Sequence, residues 1–137
     1  MSIYHPRIAD IVRRDPRYAY EAYEFVFAAL AHTQKALGRV PRGEPGEEAE
    51  ASNHVSGPEL LRGIRDFALR EFGLMARTVF RRWGVNRTGD FGEIIFNLID
   101  ANLMSKTPED NRRDFQDVYD LDQELVHGYH IRLDEAD

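Results

Sequence analysis

Apolar residues recur every three or four places along almost the whole chain, which is the period of an α-helix. Pro6 to Arg14 puts Ile8, Ile11 and Val12 on one side and predicts a short helix, stopped by Asp15-Pro16. A long helix is predicted over about Arg17 to Leu37. Ala22, Val26, Ala29, Thr33 and Leu37 form one stripe on it, and Tyr20, Tyr23, Phe27 and Leu30 form an adjacent one. Two stripes make a wide apolar face, so this helix should lie between neighbours, with Gly38 ending it. Ser56-Gly57-Pro58-Glu59 reads as a capping box with proline in the first turn. Leu60, Leu61, Ile64, Phe67, Ala68 and Phe72 then share a side, until Gly73 breaks or bends the chain. Met75, Ala76, Val79, Phe80 and Trp83 line the next helix, which Gly84 ends. Thr88 is the expected cap of another, with Phe91, Ile94, Ile95, Leu98, Ile99 and Leu103 inside. Thr107-Pro108-Glu109-Asp110 predicts one further start. Tyr129 to Leu133 alternates as a strand would, but no run elsewhere could pair with it, and a lone strand is not stable. The expected fold is all-α, a compact bundle of five or six helices.

The periodicity fails between Gly38 and Asn53, where GRVPRGEPGEEAEASN has little apolar content beyond Val40. Glycine, proline and acidic residues predict an exposed loop over 39–55. That loop would divide an N-terminal helical part, 1–38, from a main helical body, 56–137, the two forming one domain. The 137 residues suit a single domain, and 42% hydrophobic with 31% charged residues describes a globular chain rather than a disordered one. The absence of cysteine excludes disulfides, thiolate metal sites and a cysteine nucleophile. No run approaches the roughly 18 apolar residues of a membrane span. MSIYHPRIADIVRRD lacks the apolar stretch and cleavage site of a signal peptide, so a cytoplasmic location is expected.

Charge is distributed unevenly within a formal total of -6. Residues 58–87 hold seven arginines and three acids, whereas 107–137 hold ten acids and three arginines, a less regular, acidic C-terminal segment. Lys35 and Lys106 are the two lysines in the chain. Arginine's planar fork suits carboxylates and phosphates, although a codon bias would produce the same composition.

The run FGLMARTVFRRWGVNRTGDFGEIIFNLIDANLMSKTPEDNRRDF, with VSGPELLRGIRDFAL before it, resembles the main block of a family of short bacterial proteins of unknown function. The shared pattern falls on Phe72, Gly73, Met75, Ala76, Trp83, Gly84, Asp90 to Ile94, Phe96 to Leu98, Asp114 and Phe115. The resemblance implies a natural domain and carries no reaction, ligand or partner with it. Asp90-Phe91-Gly92 is not the kinase metal motif, because the glycine-rich loop, strand lysine and catalytic loop are missing. There is likewise no Walker A loop, GxGxxG turn, HExxH helix or GxSxG elbow.

Three groups of residues could carry function. The first is an arginine face: Arg62, Arg65 and Arg70 on one helix, Arg77, Arg81 and Arg82 on the next, and Arg87 in the following turn. Like charges one helical turn apart, as at Arg77 and Arg81, repel by a few tenths of a kcal/mol, and an anionic partner relieves this. Such a face could dock phosphate or an acidic protein; it could equally be solvated, or paired with the acidic tail. A helix–turn–helix centred on Gly84 is poorly phased, because its second helix would turn Asp90 and Glu93 inward and bring acids to DNA. The second group is Glu93, Asn97 and Asp100, spaced to share a helix side. They read as a polar seam meeting the arginine helix, or as a metal-dependent or acid–base site. In the third, Asp114, Asp117, Asp120, Asp122 and Glu124 precede His127 and His130; this reads as a solvated acidic terminus before it reads as a metal site. No metal or cofactor is assigned. The leading expectation is a protein–protein interaction module without chemistry of its own, with a nucleic-acid-associated regulator as the alternative. The tyrosine-rich face of the long helix leaves a homo-oligomer open.

Overall fold

A computed structural model of the chain describes residues 5–38, 55–104 and 112–127. Among these residues the architecture is all-α: five α-helices and no strand, gathered into a compact bundle. In chain order they are α1 (Pro6–Arg14), α2 (Tyr20–Ala36), α3 (Gly57–Phe72), α4 (Ala76–Arg82) and α5 (Thr88–Asp100). A 3-10 turn, Gly73–Met75, joins α3 to α4, and short turns at Arg112–Phe115 and Gln123–His127 form the C-terminal segment. The expected helix start at Thr107 to Asp110, the Tyr129 to Leu133 alternation, His130 and the loop through residue 54 lie outside the described residues.

Helix α2 is central and packs against α1, α3 and α5, as its two apolar stripes require. Ala22, Tyr23, Phe25, Val26, Ala29 and Thr33 are its buried residues. Gly63 lets α3 approach α2 closely, since a Cβ there would stand 1.7 Å from Thr33 Oγ1. The Thr33 hydroxyl turns back to donate to the Ala29 carbonyl at 2.7 Å, so its polarity is satisfied within its own helix. Phe25 stands at the centre of an aromatic cluster, with the rings of Phe67, Phe72, Phe80 and Trp83 between 5.3 and 5.7 Å away. Separations of this size and tilted or edge-on geometries favour the ring quadrupoles. Phe91 is fully buried against Phe80 at 5.1 Å, and burying such a side chain contributes about 1.5–3 kcal/mol.

The start of α3 forms as its sequence predicts. Ser56 Oγ accepts from the Glu59 amide, and Glu59 accepts from the Ser56 amide at 3.0 Å. Val55 is buried, together with Leu60. These are the flanking positions of a hydrophobic staple, so the expected exposed loop does not extend to residue 55. Several other expectations shift. The long helix starts at Tyr20, because Ala19 is extended and its amide bonds the Trp83 carbonyl. Leu37 is exposed, since Thr33 is the last buried position of α2 and the stripe outruns its neighbours. Phe25 and Leu69 are buried in positions the stripes did not include. Thr88 does not cap α5; it is its first residue, fully buried, and accepts from the Val118 amide at 3.1 Å. Gly92 is closely packed: a Cβ there would meet Phe115 at 2.7 Å.

Candidate functional site

The α1–α2 turn docks on the end of α4 and the beginning of α5. Gly84 has φ +89, and a Cβ there would lie 2.2 Å from the Arg17 carbonyl oxygen, so only glycine suits both the conformation and the approach. The approach brings Tyr18 to α5, where its hydroxyl donates to Asp90 Oδ1 at 2.7 Å. The other oxygen of Asp90 accepts from the Asn86 and Arg87 amides, at 2.9 and 3.2 Å, and thereby caps α5. Burial, then the bond to Asp90, holds the Tyr18 hydroxyl well above the usual phenol range.

About two turns further along α5, Asn97 donates to Asp15 at 3.0 Å and to the Tyr23 hydroxyl at 3.1 Å. Arg17 grips Asp15 with two bonds, at 2.8 and 2.7 Å, and reaches Glu93 at 3.5 Å. The bonds from Arg17, followed by the bond from Asn97, hold the Asp15 carboxyl far below the ordinary carboxylate range. Glu93 and Asn97 do form a polar seam, but it meets the α1–α2 turn and Tyr23 rather than the arginine helix. Asp100 is exposed and stands apart from it. Asp90 joins Tyr18 and the amides of Asn86 and Arg87. Asp15, Arg17, Tyr23, Glu93 and Asn97 thus share one set of polar contacts between α5, α2 and the turn before it. Among the described residues, no group of three or more histidine, aspartate and glutamate side chains is arranged to hold a metal ion.

The arginine face divides into two sets. Arg77 is nearly covered, at 11% exposure, and serves three acceptors: Asp122 at 2.7 Å, the Val85 carbonyl at 3.2 Å and Asn86 Oδ1 at 3.3 Å. Arg65 pairs with Asp66 at 3.2 Å and Glu124 at 3.3 Å. Arg62, Arg70, Arg81, Arg82 and Arg87 are exposed and make no ion pair with a described residue. The acidic segment thus takes two of the seven expected surface arginines and leaves five facing solvent.

That segment is more than a solvated terminus. Phe115 fits a notch between Gly57 and Gly92, where added Cβ atoms would come within 3.0 and 2.7 Å of it. The Tyr119 hydroxyl donates to the Leu61 carbonyl at 2.6 Å, and burial raises it well above the usual phenol range. Leu121 and Leu125 are buried beside it. Asp117 and Asp120 remain exposed, and Asp114 is half-buried. His127 is the last residue of the Gln123–His127 turn.

Leu74 and Met75 protrude from the corner between α3 and α4 at 51% and 58% exposure, so Met75 does not join the core as the apolar stripe predicts. Gly73, with φ +54, resets the helical phase, and the 3-10 turn advances about 120° per residue rather than 100°. The sequence contained two usable signals for these features. The glycine before Leu74-Met75 interrupts the phase of the apolar stripe, and Phe115 is an apolar residue isolated among charges. The pairing of Tyr18 with Asp90, 72 residues apart, had none.

No family model, curated protein or solved structure matches this chain. The likeness to a family of short bacterial proteins therefore rests on the quoted residues alone. No helix among the described residues is long and apolar enough to cross a membrane.

Proposed function

We propose that this protein acts by binding an acidic protein partner through the arginine surface of α3, α4 and the turn before α5. The observation that carries this reading is the division of the arginines. Arg65 and Arg77 already hold carboxylates of the C-terminal segment, whereas Arg62, Arg70, Arg81, Arg82 and Arg87 have none among the described residues. Guanidinium groups left in water contribute little to stability and are free for planar, bidentate carboxylate recognition. The acids that an enzyme reading would use support it less well. Asn97 is directed to Asp15 and Tyr23, Glu93 faces Arg17, and Asp100 stands apart.

Affinity purification of the full chain from lysate of its native host, with and without nuclease, tests the proposal. Retention of a defined acidic protein by the wild type, and its loss from an Arg81→Glu, Arg82→Glu variant of unchanged melting temperature, is the expected result. Recovery that depends on nucleic acid and falls steeply with salt would replace it with a phosphate-binding role.

A further inference from the structure

Leu74 and Met75 form a small apolar tip, each of them more than half exposed. They sit at adjacent positions in the Gly73–Met75 turn, whose glycine conformation throws both side chains outward. Exposed arginines stand on either side. Arg70 lies in the last turn of α3, four residues before Leu74. Arg81 and Arg82 lie in the last turn of α4, seven residues after Leu74 and Met75 respectively. The seven-residue α4 begins at the apolar tip and ends at Arg81 and Arg82, and at 1.5 Å per residue it is roughly 10 Å long. The opposite side of α4 is committed to the core through Ala76 and Phe80.

The adjoining surface shows what this chemistry accepts. The Gln123–His127 turn lies against both the Gly73–Met75 turn and α4. There the chain's own acidic segment buries Leu121 and Leu125 while delivering Asp122 to Arg77 and Glu124 to Arg65. Leucines beneath and carboxylates at the rim thus already meet apolar residues and arginines on the near side of the corner.

We infer that the corner between α3 and α4 docks an acidic amphipathic helix of a partner protein, its apolar side on Leu74 and Met75 and its carboxylates on Arg70, Arg81 and Arg82. The inference rests on the arginine surface being the partner-binding face, and it names the partner's chemistry. Two apolar side chains and three cations are a small contact, suited to transient association. A nucleic-acid phosphate backbone fits less well, because it offers the exposed Leu74 and Met75 side chains no apolar surface to bury against.

The probe is a fluorescein-labelled peptide with the sequence of residues 116–127, which carries the required leucines and acids, titrated with the full chain and read by fluorescence anisotropy. Saturable binding that weakens with salt is expected. Replacing Leu74→Ser and Met75→Ser should weaken it roughly fivefold or more, as should Arg81→Glu with Arg82→Glu. All four side chains are exposed, so melting temperatures should match the wild type; Met75→Gln is the second variant should the serine pair unfold. Unchanged affinity in the Leu74 and Met75 variants overturns the docking corner. If the arginine reversals still weaken binding in that case, the arginine surface stands without the corner; if neither pair matters, both readings fall. Binding to phosphatidylglycerol-containing vesicles but not to the peptide also overturns the inference.

Discussion

Where the α1–α2 turn meets α5, Asp15, Tyr18, Tyr23, Asp90 and Asn97 direct their hydrogen bonds at one another. Where α3 and α4 meet the C-terminal segment, Arg65 and Arg77 hold carboxylates and five neighbouring arginines hold none among the described residues. The two seams use similar residue types, but burial separates their roles. In the first, Tyr18 and Tyr23 are buried and a backbone carbonyl approaches Gly84 at a distance no Cβ could share. A polar group there must be partnered, because leaving it bare costs about 1–3 kcal/mol. In the second, Asp122 is 67% and Glu124 36% exposed, so water competes for the carboxylates. The first seam locks the fold, and the second leaves cations available for another molecule.

Substitutions sharpen or break this contrast. The largest effect is expected from Gly84→Ala. A left-handed alanine costs about 1–2 kcal/mol, and overpacking against Arg17 adds about 1–3 kcal/mol. Urea unfolding should show the loss as a lower midpoint with an unchanged slope. Next comes Asp90→Asn, which weakens the acceptor for Tyr18 and for two amides at the start of α5; a loss of about 1–3 kcal/mol is expected in the same assay.

Acid should act through Asp15. Its carboxyl titrates below the ordinary value of 3.8 in the folded chain, chiefly because of Arg17. The ion pair therefore stabilises fully above the unfolded value and is lost as pH falls from about 4 through the folded value. Asp15→Asn should flatten that part of a stability–pH profile by about 0.5–1 kcal/mol, given how near the pair lies to solvent.

The smallest effects belong to the second seam. Asp122→Asn or Glu124→Gln should each cost about 0.5 kcal/mol or less, and the difference from wild type should fade in about 1 M salt. If Asp122→Asn were to cost more than Asp90→Asn, the contrast between the seams would be inverted.

Much of the bundle was legible along the chain. Ser56 and Glu59 specify the start of α3 because a capping box acts within four residues. Ile8, Ile11, Ala22, Val26, Leu61, Ile64, Phe91, Ile94 and Leu98 are buried where the helical period puts them. Misplacements fall where a helix meets its limits. Leu37 lies beyond the last contact of α2, and Met75 lies in a turn whose period is not helical. The candidate site was legible by residue type but not by state. Seven arginines could be named from the sequence, yet nothing local distinguished Arg77, held by three acceptors, from Arg81 four residues on, which is exposed.

The sequence by itself determined the helical segments, the capping box of α3, the capacity for a wide apolar face on α2 and the separation of basic from acidic stretches, because each depends on residues within a few positions of one another. Only the tertiary structure decided that Phe115 fills the Gly57–Gly92 notch, that Tyr18 satisfies Asp90 and that Asp122 and Glu124 take Arg77 and Arg65. Those contacts join residues between 45 and 72 positions apart in their hydrogen-bonded members, and their energies depend on burial, which local pattern does not specify.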